Sequence, residues 1–93
     1  MSIGRTFLGL LEDGPRHGYD LKRSYDDRFG HDKPLAYGQV YATLARLLKH
    51  GLVAVDGTEP GAGPERKRYV ITDDGVADVD AWLAEPEPPD TYL

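Results

Sequence analysis

A row of polar side chains recurs at helical spacing in the middle of the chain, within AYGQVYATLARLLKHGLV at residues 36–53. Gln39, Thr43 and Arg46 fall on one side of a 3.6-residue helical wheel. Glutamine can pair bidentately with adenine, arginine with guanine, and a threonine methyl can contact the methyl of thymine. A solvated helix face is the alternative interpretation of such a row. The opposite side has the apolar character that a helix buries, and the buried arc is expected to contain Tyr37, Val40, Tyr41, Leu44, Leu47 and Leu48.

Three consecutive cations, Arg66, Lys67 and Arg68, form a second candidate site. They open the apolar run YVI, which has the β-forming composition of a strand. Because side chains alternate across a strand, Arg66 and Arg68 are expected to point the same way and Lys67 the other. The run could be the charged rim of an exposed hairpin. Three consecutive cations on a hairpin that flanks the polar helix favour contact with phosphate groups instead.

The residue types that carry most enzyme chemistry are sparse. The chain has no cysteine, and its three histidines, at 17, 31 and 50, lack metal-ligand spacing. We find no nucleophile–base pair and no phosphate-binding loop, so we expect no enzyme activity, cofactor or metal. Four aspartates near residues 73–80 are expected to complement the positive end of a helix and to line a solvated face, with a metal site as the weaker alternative.

Charge is distributed unevenly along the chain, whose net charge is −5. Residues 1–32 carry five basic and six acidic groups, residues 33–68 carry six and three, and residues 69–93 carry none and seven. Positive charge is therefore concentrated around the polar helix and the basic strand, and the acidic C-terminal segment is expected to face away from any nucleic acid. The 93 residues predict one domain without a membrane span or signal peptide, and a cytoplasmic location.

The elements that would position these residues are four helices and one hairpin. Gly14-Pro15, Gly30 and Gly51 predict where three helices end, and Thr72 predicts where the fourth begins. The fold class is therefore α+β and mostly α: a winged helix-turn-helix with a two-stranded β-hairpin wing. We assign this domain to residues 1–85, and residues 86–93 to a proline-rich acidic tail or linker. The predicted helices cover residues 3–12, 18–28, 36–50 and 73–84, and the predicted strands cover 52–55 and 66–71.

Three motifs in this order resemble the N-terminal domain of the PadR family of transcriptional regulators. They are FLGLLEDGPRHGYDLKR, YGQVYATLARLLKHGLV and GPERKRYVITDDG, and the resemblance covers roughly residues 4–84. It implies a dimeric repressor whose third helix enters the major groove of a pseudo-palindromic operator and whose wing lies on the backbone or in the minor groove. It also implies dimerisation through C-terminal helices, the region through which small-molecule effectors act in the family. The chain departs from the family at Ala36 and Gln39, where a serine is common, so its helix cap and its base readout need not follow other members.

Several of the remaining candidate site residues have more than one predicted role. His17 is expected at the entry to the second helix, where backbone N–H groups can hold a phosphate. Tyr19 fits either the core or a phosphate contact, while the rings of Tyr37 and Tyr41 are expected to pack with their hydroxyls toward the DNA backbone. Core positions are expected first, and a dimer interface second, for Val79, Trp82 and Leu83. The competing functional class is a winged-helix protein-interaction module that binds no DNA, which the acidic net charge favours.

Overall fold

Four helices and three short strands account for the part of the chain that the computed structural model describes, residues 2–30, 32–58 and 67–84. The observed helix bounds lie within one or two residues of those expected. Arg66 and the tail at residues 86–93 lie outside the described residues. The elements in chain order are α1 (Ile3–Leu11), β1 (Arg16–His17), α2 (Gly18–Phe29), α3 (Tyr37–Lys49), β2 (Val53–Thr58), β3 (Lys67–Ile71) and α4 (Asp73–Ala84).

The C-terminus of α3 ends at a glycine, as the sequence predicts. Gly51 has a φ of +71°, a left-handed conformation that glycine adopts without steric cost. Its N–H donates to the carbonyl of Leu48 at 3.0 Å, and the N–H of Leu52 donates to the carbonyl of Leu47 at 3.0 Å. This pair of bonds is a Schellman motif, and it turns the chain directly from α3 into β2.

The start of α4 is held against this same turn. The hydroxyl of Thr72 accepts the N–H of Gly75 at 3.1 Å, so the predicted threonine cap is confirmed, and it donates to the carbonyl of Gly51 at 2.7 Å. Gly75 is buried, and a Cβ built on it would collide with the carbonyl oxygen of Leu52. Glycine is therefore needed at this position for α4 to approach the end of α3.

The sheet has one more strand than the predicted hairpin. Its three described strands are antiparallel in the order β1-β3-β2. The short β1 pairs His17 with Arg68 and Arg16 with Tyr69, which ties the start of α2 to the wing. The predicted two-stranded wing is confirmed as β2 and β3, whereas β1 was not predicted because a two-residue strand has no alternating pattern to reveal it.

The core lies where α1 meets the three other helices and the sheet. Phe7 is fully buried, and its ring meets that of Tyr25 edge to face, with centroids 6.2 Å apart and an interplanar angle of 87°. No helix among the described residues is long and apolar enough to span a membrane. The buried apolar residues are Phe7, Leu8, Leu10, Leu11, Leu21, Leu35, Val40, Leu44, Leu47, Val53, Tyr69 and Val79.

Candidate nucleic-acid interface

The exposed face of α3 is a ridge of small residues. Gly38, Ala42 and Ala45 are all exposed and follow one another at helical spacing, opposite the buried face centred on Val40 and Leu47. With almost no side-chain bulk on this ridge, the helix backbone can approach a partner surface closely. The ridge was not predicted, although the helical spacing of its small residues is present in the sequence.

Thr43 does not belong to the exposed face, and the prediction that places it there is wrong. The residue is only 2% exposed, and its hydroxyl donates to the backbone carbonyl of Gln39 at 2.8 Å. Its methyl faces α1 at Gly4, 3.8 Å from where a Cβ on that glycine would lie. Helix α1 packs over this edge of α3 and covers a residue that the helical wheel left in solvent.

Gln39 and Arg46 are exposed, as the sequence predicts. They lie on the flank of the ridge next to α1, where Arg46 Nη2 donates to Thr43 Oγ1 at 3.4 Å. Arg46 also lines an open groove of about 440 Å³ between α1, α3 and α4, together with Arg5 and His50. Both side chains can therefore reach past the ridge toward a partner, and their base-reading role stays a prediction.

The other flank of the ridge is aromatic. Tyr37 is 51% exposed and Tyr41 is 40% exposed, so both rings are less buried than the predicted arc required. Tyr41 rests against the start of α2, where a Cβ on Gly18 would lie 3.0 Å from its ring. Leu48 is 36% exposed, so it too lies outside the buried arc. The arc is narrower than expected and is rotated toward Thr43.

His17 lies at the entry to α2, as expected. It occupies the N-cap position in an extended conformation, and its Nδ1 is 3.3 Å from the carboxylate of Asp20. Tyr19 is 41% exposed, which excludes the core alternative, and the guanidinium of Arg23 lies 5.7 Å from its ring centroid. The first backbone N–H groups of a helix have no partner within that helix, so this entry can accept an anion.

The wing places Arg68 beside that entry. In the antiparallel register Arg68 is directly opposite His17, and opposed residues share a face of the sheet. The guanidinium of Arg68 donates to the carbonyl of Asp56 at 3.1 and 2.7 Å, which fixes its direction along the wing. Lys67 is half-buried, and its pointing to the other face stays a prediction from strand alternation, while Arg66 lies outside the described residues.

An ion pair on α2, which was not predicted from the sequence, also holds the turn between α2 and α3. Lys22 Nζ donates to Asp26 Oδ2 at 2.6 Å, and the backbone N–H of Leu35 donates to Asp26 Oδ1 at 2.9 Å. The hydrogen bond to Asp26 raises the pKa of Lys22 above its ordinary 10.5. At Asp26, burial favours the neutral form, but the hydrogen bonds from Lys22 and Leu35 outweigh burial and hold its pKa below the ordinary 3.8.

The three residues of α4 that were predicted for the core or a dimer interface differ in their burial. Val79 is 1% exposed and lies in the core, whereas Leu83 is 69% exposed. Trp82 is half-buried, with the Arg5 guanidinium 5.9 Å from its ring centroid. Trp82 and Leu83 line an apolar groove of about 260 Å³ with Phe29, so the dimer alternative stays open for these two. No group of three or more metal-binding side chains occurs among the described residues, the α4 aspartates included.

Comparison with known proteins places this geometry among transcriptional regulators. Residues 7–81 match the model of the transcriptional regulator PadR-like family. The negative transcriptional regulator PadR of Bacillus subtilis is 32% identical over 83 residues, covering 89% of this chain and 46% of the relative. The crystal structure of Bacillus subtilis PadR in complex with operator DNA superposes with a TM-score of 0.81 at 28% identity, over 97% of this chain and 51% of that one.

The same Bacillus subtilis protein has been solved in complex with p-coumaric acid, and that structure shares the fold at 24% identity and a TM-score of 0.75, over 98% of this chain and 46% of that one. The relatives that match this chain by family are transcriptional regulators, not enzymes. The chain spans about half the length of these relatives.

Proposed function

This chain belongs to the transcriptional regulator PadR-like family, and we therefore propose that it is a sequence-specific DNA-binding regulator that acts as a repressor. The observation that carries the proposal is the exposed ridge of α3, built from Gly38, Ala42 and Ala45 and flanked by Gln39 and Arg46. A helix without bulky side chains on its outer face fits deep in the major groove, where base edges are displayed.

In the proposed complex, Gln39 and Arg46 read bases. Each can form a bidentate pair, which contributes about 1–3 kcal/mol of discrimination against the wrong base. The methyl group of Ala42, at the centre of the ridge, is placed to meet a thymine methyl, the contact first expected of Thr43. Thr43 itself supports the helix from behind and takes no base contact.

The DNA backbone is proposed to lie across the α2 entry and the wing. Supporting observations are the adjacency of His17 and Arg68 and the contact of Tyr41 with Gly18. Phosphate contacts of this kind fix the register of a protein on the duplex without reading sequence. The proposed backbone contacts are His17, Tyr19, Tyr37, Tyr41, Lys67 and Arg68, together with Arg66 from outside the described residues.

The full regulator is proposed to be a homodimer on a pseudo-palindromic operator in the cytoplasm. Phe29, Trp82 and Leu83 offer an apolar surface near the end of α4 that supports this proposal. Residues 1–85 are the proposed DNA-binding domain, with residues 86–93 as a linker. A small-molecule effector acting through the longer protein is part of the proposal, supported by the relative solved with p-coumaric acid. No enzymatic activity is proposed.

A direct test measures binding of the 93-residue chain to labelled duplex DNA by fluorescence anisotropy, at low and moderate salt. We expect Ala42→Glu to lower affinity at least tenfold, because it puts bulk and negative charge on the ridge. Ala77→Glu adds the same group at an exposed site on α4 and is expected to bind as the unaltered chain does. Equal behaviour of the two variants would contradict the placement of α3.

The second candidate, a protein-interaction module, is favoured by the net charge of −5 and by the exposed acidic side chains of Asp73, Asp74 and Asp80. The same titration separates the two functions. Binding that weakens steeply as salt rises supports the regulator, because it reports release of counterions from phosphates. An absence of binding even at low salt supports the interaction module.

A further inference from the structure

The first turn of α3 lacks the side-chain cap that would ordinarily hold it. Ala36 occupies the N-cap position with φ −71° and ψ 145°, the conformation in which serine or aspartate accepts a backbone N–H of the first turn. The methyl group of alanine cannot accept a hydrogen bond. Ala36 therefore contributes no side-chain hydrogen bond to the start of α3.

Asp26, on the third turn of α2, reaches across the intervening turn to this point. Its Oδ1 accepts the N–H of Leu35 at 2.9 Å, and its Oδ2 accepts Lys22 Nζ at 2.6 Å. The side chains of Lys22 and Asp26 are only 16% and 17% exposed, so both bonds are largely shielded from water. One carboxylate thus joins α2 to the residue that precedes the cap of α3.

The surroundings leave this carboxylate little freedom. A Cβ on Gly30 would lie 3.0 Å from Asp26 Oδ1 and 3.2 Å from the carbonyl of Lys33, so the turn closes tightly around the contact. Leu35 is 7% exposed and anchors the turn in the core. Lys22 Nζ also lies 5.2 Å from the ring centroid of Tyr37, the first residue of α3. The ion pair of Lys22 and Asp26 therefore contacts both the residue before the cap of α3 and the first residue of that helix.

We propose that Asp26 is a positioning residue that sets the start of α3 in place of an N-cap, and that sequence discrimination by α3 depends on it. The second part rests on the proposed function, because it requires α3 to read DNA. Asp26 itself touches no base: it acts through Leu35 and, with Lys22, through Tyr37. Removal of the Asp26 carboxylate should therefore loosen the first turn of α3. It should weaken binding to the specific DNA sequence more than non-specific DNA binding.

Hydrogen exchange of backbone amides tests the first part without DNA. In Asp26→Ala we expect the amides of Leu35, Gln39 and Val40 to exchange about fivefold faster, the change that corresponds to loss of a helix cap. Asp27→Ala removes the same charge from an exposed neighbour on α2 and is the matched control. Equal exchange rates in the two variants overturn the positioning role.

Two further variants separate the interactions of the carboxylate. Asp26→Asn keeps an acceptor for Leu35 but loses the charge opposite Lys22, so we expect intermediate exchange rates, and it serves if Asp26→Ala does not fold. Adding Ala36→Ser to Asp26→Ala supplies the absent cap, and we expect it to restore slow exchange at Gln39 and Val40. Failure of the added cap to restore slow exchange would mean that Asp26 stabilises α2 instead of α3.

Discrimination is measured on duplexes enriched from a random pool by the unaltered chain. We expect the ratio of specific to non-specific affinity to fall about fivefold in Asp26→Ala, to stay unchanged in Asp27→Ala and to recover with Ala36→Ser. An unchanged ratio in Asp26→Ala overturns the role in discrimination even if exchange is faster. If the unaltered chain enriches no DNA, the proposed function and this second part both fail, while the exchange data still decide the first part.

Discussion

Replacing the buried Thr43 by alanine distinguishes a supporting residue from a base-reading one. The change removes a hydrogen bond to the carbonyl of Gln39, worth about 0.5–1.5 kcal/mol. It also removes a methyl packed toward Gly4, worth about 0.8 kcal/mol plus the cost of a small cavity. The better helix propensity of alanine offsets up to about 0.7 kcal/mol of this loss. We therefore expect Thr43→Ala to lower the free energy of unfolding by about 1–2 kcal/mol in net terms.

Urea denaturation followed by circular dichroism measures this loss, with Thr43→Val as the comparison. Valine keeps the packed methyl, and the Gln39 carbonyl keeps its ordinary helical partner. We therefore expect the free energy of unfolding of Thr43→Val to lie within about 1 kcal/mol of that of the unaltered chain. Neither variant should change the ratio of specific to non-specific DNA affinity by more than about threefold. Unchanged stability in Thr43→Ala, with a specificity loss worth about 1–3 kcal/mol, would show that Thr43 reads a base after all.

Three further outcomes are expected. Gly75→Ala should lower the free energy of unfolding, measured by urea denaturation, by about 1–3 kcal/mol, because the added Cβ meets the Leu52 carbonyl. Gly9→Ala, with no atom within 4 Å of the added carbon, should instead raise it by about 0.5–1 kcal/mol. Equal effects of the two variants would contradict the close approach of α4. The lowered pKa of Asp26 means that its contribution to stability is present above the unfolded pKa, near 3.8, and is lost as the pH falls through the folded pKa. The stability difference between the unaltered chain and Asp26→Asn should therefore shrink as urea titrations move below about pH 4, and a difference constant with pH would refute this. Arg68→Ala should weaken binding to all duplexes alike and reduce the slope of log affinity against log salt by about one, and a loss confined to one sequence would contradict its phosphate role.

The helices could be predicted because their signals are local. Apolar spacing marks α1 and α2, and Gly51 and Thr72 stop and start helices through contacts within a few residues. The two-residue β1 carries no such pattern, since it exists only through its pairing with β3. Local patterns therefore gave the element order and missed the strand that connects the α2 entry to the wing.

The site was predicted less completely because burial on α3 depends on the rest of the fold. A helical wheel places Thr43 beside Gln39 and Arg46, but α1 covers it in the folded chain. The contact from Asp26 to Leu35 spans nine residues and two elements, so no periodicity reveals it. The exposure of Gln39 and Arg46 followed from the sequence because both lie on the side of α3 away from Leu44.

The affinity ratio of Arg46→Ala tests whether the outer face of α3 reads bases. Duplexes are enriched from a random pool by the unaltered chain, and anisotropy titrations then give affinities for the enriched and for an unrelated duplex at one salt concentration. We predict that Arg46→Ala lowers affinity for the enriched duplex by about 1–3 kcal/mol, which is roughly 5- to 150-fold, and changes affinity for the unrelated duplex far less. An equal loss on both duplexes would contradict base reading by α3, because Arg46 would then act only as a phosphate contact.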